Sequence, residues 1–581
     1  MDALIKRFCP RLDFISYEDF KENFQITVPD NFNFAYDVVD EWARLEPKKK
    51  ALVWCDDVDE RHFTFTDISR LSNQAAQAFV RLGIGKGDVV MAMLRQRWEY
   101  WVIAMALCKL GAIITPATIQ LTAKDIGYRL KSSGARALVV MDDDYVLSQA
   151  EPALSENNQV DVRILVNARG GSVAGNTTCG GGVRCAKATA DGGNWLDFNA
   201  LIAAESGDFQ RPQGAAATKN SDIMLIYFTS GTTGLAKMAM QDFTHPLGHI
   251  ITARYWQQVR ENELHCSVTD SGWAKFGWGK IYGQWICGAA IFAYDAVRFE
   301  PVQLLARIER YRLKTFCVPP TMYRFMLQED ILSYDLSSVE TFTTAGEPLN
   351  AEVTRQWQEL TGKLIREGFG QSESPVLLAT FPWLQPHPGS MGKPSPLFDI
   401  QLLGEDGQPV ADGDEGLICV CGLRHNYPPG LFVGYYRDQQ LTASAVGGDY
   451  YNLHDLAWRD VDGYYTFVGR DDDVIKCSGY RIGPFEVESS LIEHPAVLEC
   501  AVTAAPDEVR GSVVKATIQL KAGFEPSEEL VLELQEHVKQ STAPYKYPRI
   551  IEFVDALPKT VSGKIKRGKI RVTDAGGTWV D

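Results

Sequence analysis

The sequence predicts an α/β protein of more than one domain: a large N-terminal region of several α/β subdomains, mostly parallel in sheet, then a small C-terminal α+β domain. Three observations carry this. The chain has 581 residues, too many for one hydrophobic core. Between Phe63 and Thr118, segments of helical and strand-like pattern alternate, as βαβ units do. A polar run, Gly469-Arg470-Asp471-Asp472-Asp473, separates two apolar strands, and about 110 residues with their own strand and helix pattern follow it.

Each element has a local reason. Leu71 to Leu82 places apolar residues at helical spacing, and Lys86-Gly87-Asp88 ends it. Val89 to Leu94 reads as a buried strand, and Arg95 to Leu110 returns to helical periodicity. The most apolar segment, Trp101 to Ala117, is interrupted by Lys109 and Gly111 and meets Pro116. It is too short and broken to cross a bilayer and reads as a buried helix. Gly170 to Gly193, rich in Gly, Ala, Thr and Asn, reads as a flexible surface excursion. Asp222 to Phe228 is strand-like in its β-branched and aromatic content. Similar units recur near 305–321 and 337–345. Beyond the polar joint, Cys500 to Val502 and Ala516 to Leu520 read as strands, and Glu529 to Lys539 as a helix.

Composition narrows the function classes. Hydrophobic content of 45% and charged content of 23% are ordinary for a globular protein. A net charge of −16 argues against non-specific nucleic-acid binding. The twelve cysteines form no C-x-x-C pair and have no histidine cluster beside them, which argues against a zinc site and fits a reducing compartment. The opening residues, Met1 to Phe8, lack a signal-peptide apolar region, so a cytoplasmic location is expected.

Chemistry concentrates in a few loops. Thr229-Ser230-Gly231-Thr232-Thr233-Gly234-Leu235-Ala236-Lys237 follows the strand-like Asp222 to Phe228. Such a loop turns sharply and aims N–H groups and hydroxyls at one point, as a polyphosphate requires. Its G-x-x-G-x-x-K spacing, with Met238 after the lysine, is not the G-x-x-x-x-G-K-[ST] of a Walker A loop. Gly346, Glu347 and Pro348 form a tight turn against which a planar base can lie. In Glu367-Gly368-Phe369-Gly370-Gln371-Ser372-Glu373, Phe369 suits adenine stacking or core packing. Glu373 suits a magnesium ion or a solvated turn. The Asp455 carboxylate can accept from both ribose hydroxyls, and Arg470 can donate to ribose or phosphate. Arg481 adds a cation beside Gly479. Lys564 sits on a glycine hinge near the C-terminus and reads alone as a solvated charge. Trp273, Trp278, Tyr282 and Trp285, with glycines between them, read either as an aromatic core or as walls around an apolar acid.

Taken together, the loop Thr229–Lys237, "TAGEPL", "EGFGQSES", "KCSGYRIGPFEVES" and "LPKTVSGKIKR" resemble, in order and spacing, the adenylate-forming superfamily. Within it, "SGYRIGPFEVES", "HPAVLECAV", "APYKYPRIIEF", "LPKTVSGKIKR" and the Trp273–Trp285 segment are similar to the medium-chain acyl-CoA synthetase branch. The resemblance runs from Phe63 to Lys569. It implies the adenylate-forming fold with a small mobile C-terminal domain, divided as residues 1–470, a hinge at 471–473 centred on Asp472, and 474–581. It implies a two-step reaction using ATP, Mg2+ and CoA: a carboxylate forms acyl-AMP and pyrophosphate, and CoA then takes the acyl group. Thr229, Ser230, Gly231, Thr232, Thr233, Gly234 and Lys237 would hold the β- and γ-phosphates. Gly346, Glu347, Pro348 and Glu367 to Ser372 would form the adenine and α-phosphate site. Glu373 would ligate magnesium, Asp455 and Arg470 would bind ribose, and Lys564 would bridge the acyl carboxylate and α-phosphate. Ser478, Gly479 and Tyr480 would meet the CoA arm, with Arg510, Tyr547 and Arg549 toward its nucleotide. Arg481, Trp273, Lys275 and Trp278 would face substrate or phosphate. From Ser541 to Val572 only Glu552 and Asp555 oppose eight Lys and Arg, which reads as a cationic surface for CoA or as a mixed solvated face.

Three departures from the family pattern stand out. Leu453-His454 replaces the usual Thr-Gly before the ribose aspartate, Ser372 replaces threonine, and Ala236 replaces a common proline. If position 454 needs positive φ, histidine costs roughly 1 kcal/mol there. Transfer to a carrier protein instead of CoA, or a homologue impaired by His454, remain alternatives at this level.

Overall fold

The computed structural model describes residues 2–167, 177–179, 183–188, 194–229, 236–477, 480–507, 511–559 and 565–574. Among them lie two large mixed sheets with helices and a small three-stranded sheet near the C-terminus. The thirteen-stranded sheet has a parallel half, in which Lys50–Cys55, Ala290–Tyr294, Leu264–Ser267, Thr315–Cys317, Thr341–Thr344 and Ile365–Phe369 pair side by side. Its other half, from Leu378–Ala379 to Asp399–Leu403, is antiparallel. The expectation of mostly parallel sheet thus holds only where helices supply the crossovers. Short connections between strands force antiparallel pairing.

The nine-stranded sheet is built around the parallel strands Ile113–Pro116, Val89–Met93, Ala137–Met141 and Val162–Val166. The helix Phe65–Arg81 starts at a capping box between Thr64 and Asp67. The apolar stretch expected as one buried helix is split: helix Trp98–Leu110 stops at Gly111, whose φ of 74° ends it, and Ile113–Pro116 is a strand. Apolar residues all round a segment mark burial, not element type. Within the expected surface excursion, strands Thr177–Cys179 and Val183–Ala188 pair antiparallel and extend this sheet at its edge. The glycines around them obscured that pairing.

After Arg470, Ile475–Cys477 pairs with Tyr480–Ile482, and Val497–Asp507, Gly511–Leu520 and Ile550–Phe553 form the small sheet, covered by helices Pro484–Glu493 and Glu528–Ser541. These elements share a core of their own that includes Ile475, Val487, Leu491, Val502, Ile518 and Leu534.

Candidate active site

The chemistry-bearing loops leave the carboxyl ends of strands, where open α/β sheets bind their ligands. Thr229 ends Ile223–Thr229, the turn at Gly346 follows Thr341–Thr344, and Gly370–Glu373 follows Ile365–Phe369. The strand after the phosphate-type loop, Lys237–Asp242, runs antiparallel to Ile223–Thr229. The loop therefore closes a hairpin instead of opening a helix, a second difference from Walker A.

Gly346 has φ of 100°, which favours glycine there. The Glu347 carboxylate accepts from Thr321 Oγ1 at 2.7 Å and lies 3.9 Å from Arg324. Lys275 Nζ donates to the Ala345 carbonyl at 2.7 Å and ties the aromatic segment to this turn. Leu349 N–H donates to Glu367 at 3.3 Å, and burial pushes the Glu367 carboxyl up to about 8. Phe369 is half-buried and packs against the core beside Phe467, with 6.4 Å between ring centroids. Gly370 is required by contact: a Cβ there would lie 2.5 Å from the Trp278 ring and from the Pro375 carbonyl.

The ribose-type residues meet across long sequence distances. Asp455 and Arg470 face each other in the ladder between Tyr450–Arg459 and Tyr465–Arg470. Arg470 lies 3.4 Å from Asp455 and donates to the Leu453 carbonyl at 3.0 Å. Gln371 Nε2 donates to Asp455 Oδ2 at 2.7 Å and to the Leu453 carbonyl at 2.8 Å, and Tyr451 OH donates to Gln371 Oε1 at 3.0 Å. Gln241 Nε2 holds the Ser372 carbonyl at 3.0 Å. Glu373 is buried, with Tyr435 OH at 3.4 Å. Burial raises its carboxyl, while Thr229 and Lys237 act against that shift. Tyr435, Tyr451, Gln241, Thr321 and Arg324 were not anticipated. Gln241 and Tyr451 lie four residues from Lys237 and Asp455, the others some twenty from the nearest motif residue, and a lone Tyr or Gln carries no local signal.

The aromatic segment divides. Trp285 is fully buried, stacks on Phe34 and donates to the Ala51 carbonyl at 2.9 Å; Tyr282 packs on Phe34 and His249. Both are core, the first of the two readings open from the sequence: helix Tyr282–Ile286 turns them inward. Trp278 is buried in the same core, beside Gly370 and His249, whereas Trp273 is half-buried with an indole N–H that has no acceptor among the described residues.

Arg549 donates to Tyr547 OH at 2.7 Å and stacks over its ring. The cationic run is largely neutralised: Lys546 pairs with Glu486, Lys559 with Glu499, Arg567 with Glu488 and Arg571 with Asp473. The carboxylates come from other elements, which a count along one segment misses. Ser230, Gly231, Thr232, Thr233, Gly234, Ser478, Gly479, Arg510 and Lys564 lie outside the described residues. Tyr480 and Arg481 lie on the short strand paired with Ile475–Cys477.

Residues 39–436 match the AMP-binding enzyme family, and residues 486–564 match the AMP-binding enzyme C-terminal domain. The chain belongs to the AMP-binding enzyme family. It is 38% identical over 571 residues to mouse acyl-coenzyme A synthetase ACSM3, mitochondrial, covering 96% of this chain and 93% of that protein. It is 39% identical over 554 residues to human acyl-coenzyme A synthetase ACSM4, mitochondrial, covering 94% and 91%. Among solved structures, the anthranilate CoA ligase AuaEII in complex with anthranoyl-AMP superposes with a TM-score of 0.82 at 27% identity, covering 94% of this chain and 98% of that one. The expected medium-chain acyl-CoA synthetase resemblance therefore holds. The expected cytoplasmic location does not: the mouse, rat and human relatives are mitochondrial proteins. Lack of a secretory apolar region says nothing about amphipathic organelle-targeting segments. No described helix is long and apolar enough to cross a membrane.

In this AMP-binding enzyme the unusual His454 has φ of 61°, so the position before Asp455 does demand a left-handed backbone. The imidazole is half exposed and turns away from Asp455: Nδ1 lies 2.8 Å from Asp471 Oδ2, and Asp471 N–H donates back to the His454 carbonyl at 3.0 Å. The backbone cost and the exposed His454–Asp471 contact are each worth roughly 1 kcal/mol or less and oppose each other. His454→Gly is accordingly expected to change stability by less than about 1 kcal/mol and the ATP KM by less than about threefold. Thermal unfolding and ATP titration check this. A larger rise in KM would place the imidazole in the nucleotide site.

Proposed function

We propose that this enzyme is an AMP-forming carboxylate–CoA ligase acting on a short- or medium-chain, branched or aryl acid. The observation that carries the reading is the Gln371–Asp455–Arg470 cluster beside the Gly346 and Gly370 turns, in a chain similar along nearly its whole length to acyl-coenzyme A synthetases. A buried carboxylate with oriented donors suits a ribose diol, and the adjoining turns suit a planar base.

In the first step a substrate carboxylate oxygen attacks the α-phosphorus of ATP, and pyrophosphate leaves. In the second the CoA sulfur attacks the acyl carbonyl, losing its proton, and AMP leaves with the electron pair of the broken bond. Negative charge builds on phosphate oxygens first and on the acyl oxygen next, so fixed cations and N–H groups are the catalysts expected. Thr229 to Lys237 are assigned to the β- and γ-phosphates. Gly346 to Pro348 and Glu367 to Ser372 are assigned to adenine and the α-phosphate, Asp455 and Arg470 to ribose, and Lys564 to the carboxylate and α-phosphate. Glu373 fits the ion of Mg·ATP: it is a buried carboxylate beside the loop, and magnesium on a nucleotide needs only one or two protein carboxylates. Magnesium bound there would neutralise phosphate charge. Trp273 and Trp278 are assigned to the acid, with the Trp273 N–H as a donor to its polar end. Ser478, Gly479, Tyr480, Arg510, Tyr547 and Arg549 are assigned to CoA, and Arg481 to phosphate. The boundaries proposed are 1–470, a hinge at 471–473 and 474–581, the small domain turning about Asp472 between steps. Arg571 contacts Asp473 and the Asp472 carbonyl, which ties the joint to the last described helix.

The test is pyrophosphate release from Mg·ATP with carboxylic acids from acetate to octanoate, including branched and aryl acids, with and without CoA. Multiple turnover is expected to need CoA and to peak for one acid class. Acyl transfer to an added carrier protein but not to CoA would refute the thioester reading.

A further inference from the structure

The turn at Gly346 is connected to the small domain by a chain of charges that runs through Arg324, which lies outside every quoted motif. Arg324, on helix Pro320–Met326, donates to Thr321 Oγ1 at 2.8 Å and lies 3.9 Å from Glu347 on that turn. On its other side it reaches Glu499 Oε1 at 3.4 Å. Glu499 belongs to the small sheet, at a register irregularity between Val497 and Glu499, the sort of bulge that re-aims a side chain. Its second oxygen takes Lys559 Nζ at 2.5 Å. Lys559 in turn bridges to Ile565, and Lys566 N–H donates to the Pro558 carbonyl at 2.8 Å. These contacts close the stem of the segment that carries Lys564. A second link between the same regions runs from Asn350 Nδ2 to the Ser489 carbonyl at 3.1 Å.

Glu499 is 6% exposed. A carboxylate that deep is stable as an anion only while cations neutralise it, and here one comes from each domain. Rotating the small domain about residues 471–473 would part Arg324 from Glu499 while leaving Lys559 in place. The pair therefore discriminates between domain orientations, which is what an interaction must do to shift their populations. We propose that Arg324, Glu499 and Lys559 are positioning residues for the first half-reaction: they hold the small domain in the orientation that registers the Lys564 stem against the nucleotide turn. This rests on the adenylation reading above.

The two half-reactions separate a positioning role from a structural one. Acyl-AMP formation is read as single-turnover pyrophosphate release without CoA; thioester formation is read from pre-made acyl-AMP plus CoA. Arg324→Gln and Glu499→Gln are each expected to slow the first by about tenfold or more and to leave the second within about threefold, as a lost bias on a two-state equilibrium should. The double variant is expected to lose less than the product of the two single losses, because the Arg324–Glu499 contact is common to both. Arg324→Lys should recover part of the loss. Independently of turnover, protease cleavage at 471–473 should be faster in Arg324→Gln than in the wild type. Equal losses in both half-reactions, additive losses, or wild-type rates with unchanged cleavage would overturn the proposal. Lys564→Ala keeps the two readings apart: if it spares the first half-reaction while Arg324→Gln does not, the lysine assignment fails and the Arg324–Glu499–Lys559 clasp between the domains stands. If it abolishes that step while the clasp variants are silent, the clasp fails.

Discussion

Asp455→Ala is expected to lower the rate of pyrophosphate release by about a hundredfold or more, with most of the loss in kcat/KM for ATP. Two costs add. The carboxylate would no longer accept from the ribose hydroxyls, and hydrogen bonds to a charged group are worth about 1.5–3 kcal/mol each. Gln371 and Arg470 would also lose the anion that orients them, at 2.7 and 3.4 Å. Arg470 is about one-third exposed, so water recovers part of that second cost and the ribose contact dominates. Asp455→Asn keeps the volume and one acceptor and should fall between. Since Asp455 lies in a ladder between two strands, unfolding curves must accompany the kinetics. A folded Asp455→Ala enzyme with an unchanged ATP KM would remove the ribose assignment.

Glu367→Gln is expected to stabilise the unliganded protein, by an amount that grows with pH. Burial raises the folded carboxyl from its usual 4.5 to about 8, and Leu349 N–H only partly opposes this. Below the unfolded value both states are protonated, and the neutral acid contributes fully. As pH rises through the window from 4.5 toward 8, the unfolded chain releases a proton that the folded chain keeps. Stability is therefore lost across that window, by roughly a few kcal/mol. Glutamine keeps the shape and the acceptor for Leu349 but has no proton to release. The melting temperatures of the two proteins should agree near pH 4 and separate progressively toward pH 8. A gap that stays constant with pH would mean that Glu367 is ionised in the folded protein.

Local pattern and spacing were enough to predict the class of fold and the separate small domain. The helical periodicity of Leu71 to Leu82, the buried strand Val89 to Leu94 and the strand before Thr229 all reappear. Each is specified by side-chain period and by its flanking turn residues, which act within a few positions. The positive φ at His454 was implied only by the glycine that the resembled family has at this position, not by the histidine itself.

Only the tertiary structure decided which side chains meet. Nothing along the chain pairs Gln371 with Asp455, Tyr435 with Glu373 or Arg324 with Glu499; sheet order and domain docking do. The same holds for failures of the sequence reading. Trp273 and Trp278 look alike in sequence, yet Trp278 is core and Trp273 is only half-buried, because burial depends on what packs from elsewhere. The cations between Ser541 and Val572 look unopposed until Glu486, Glu488, Glu499 and Asp473 arrive from other elements. Conformational preference is local and short in range, so sequence carries it. Electrostatic and packing partners are set by distance in space, which the chain acquires only when it folds.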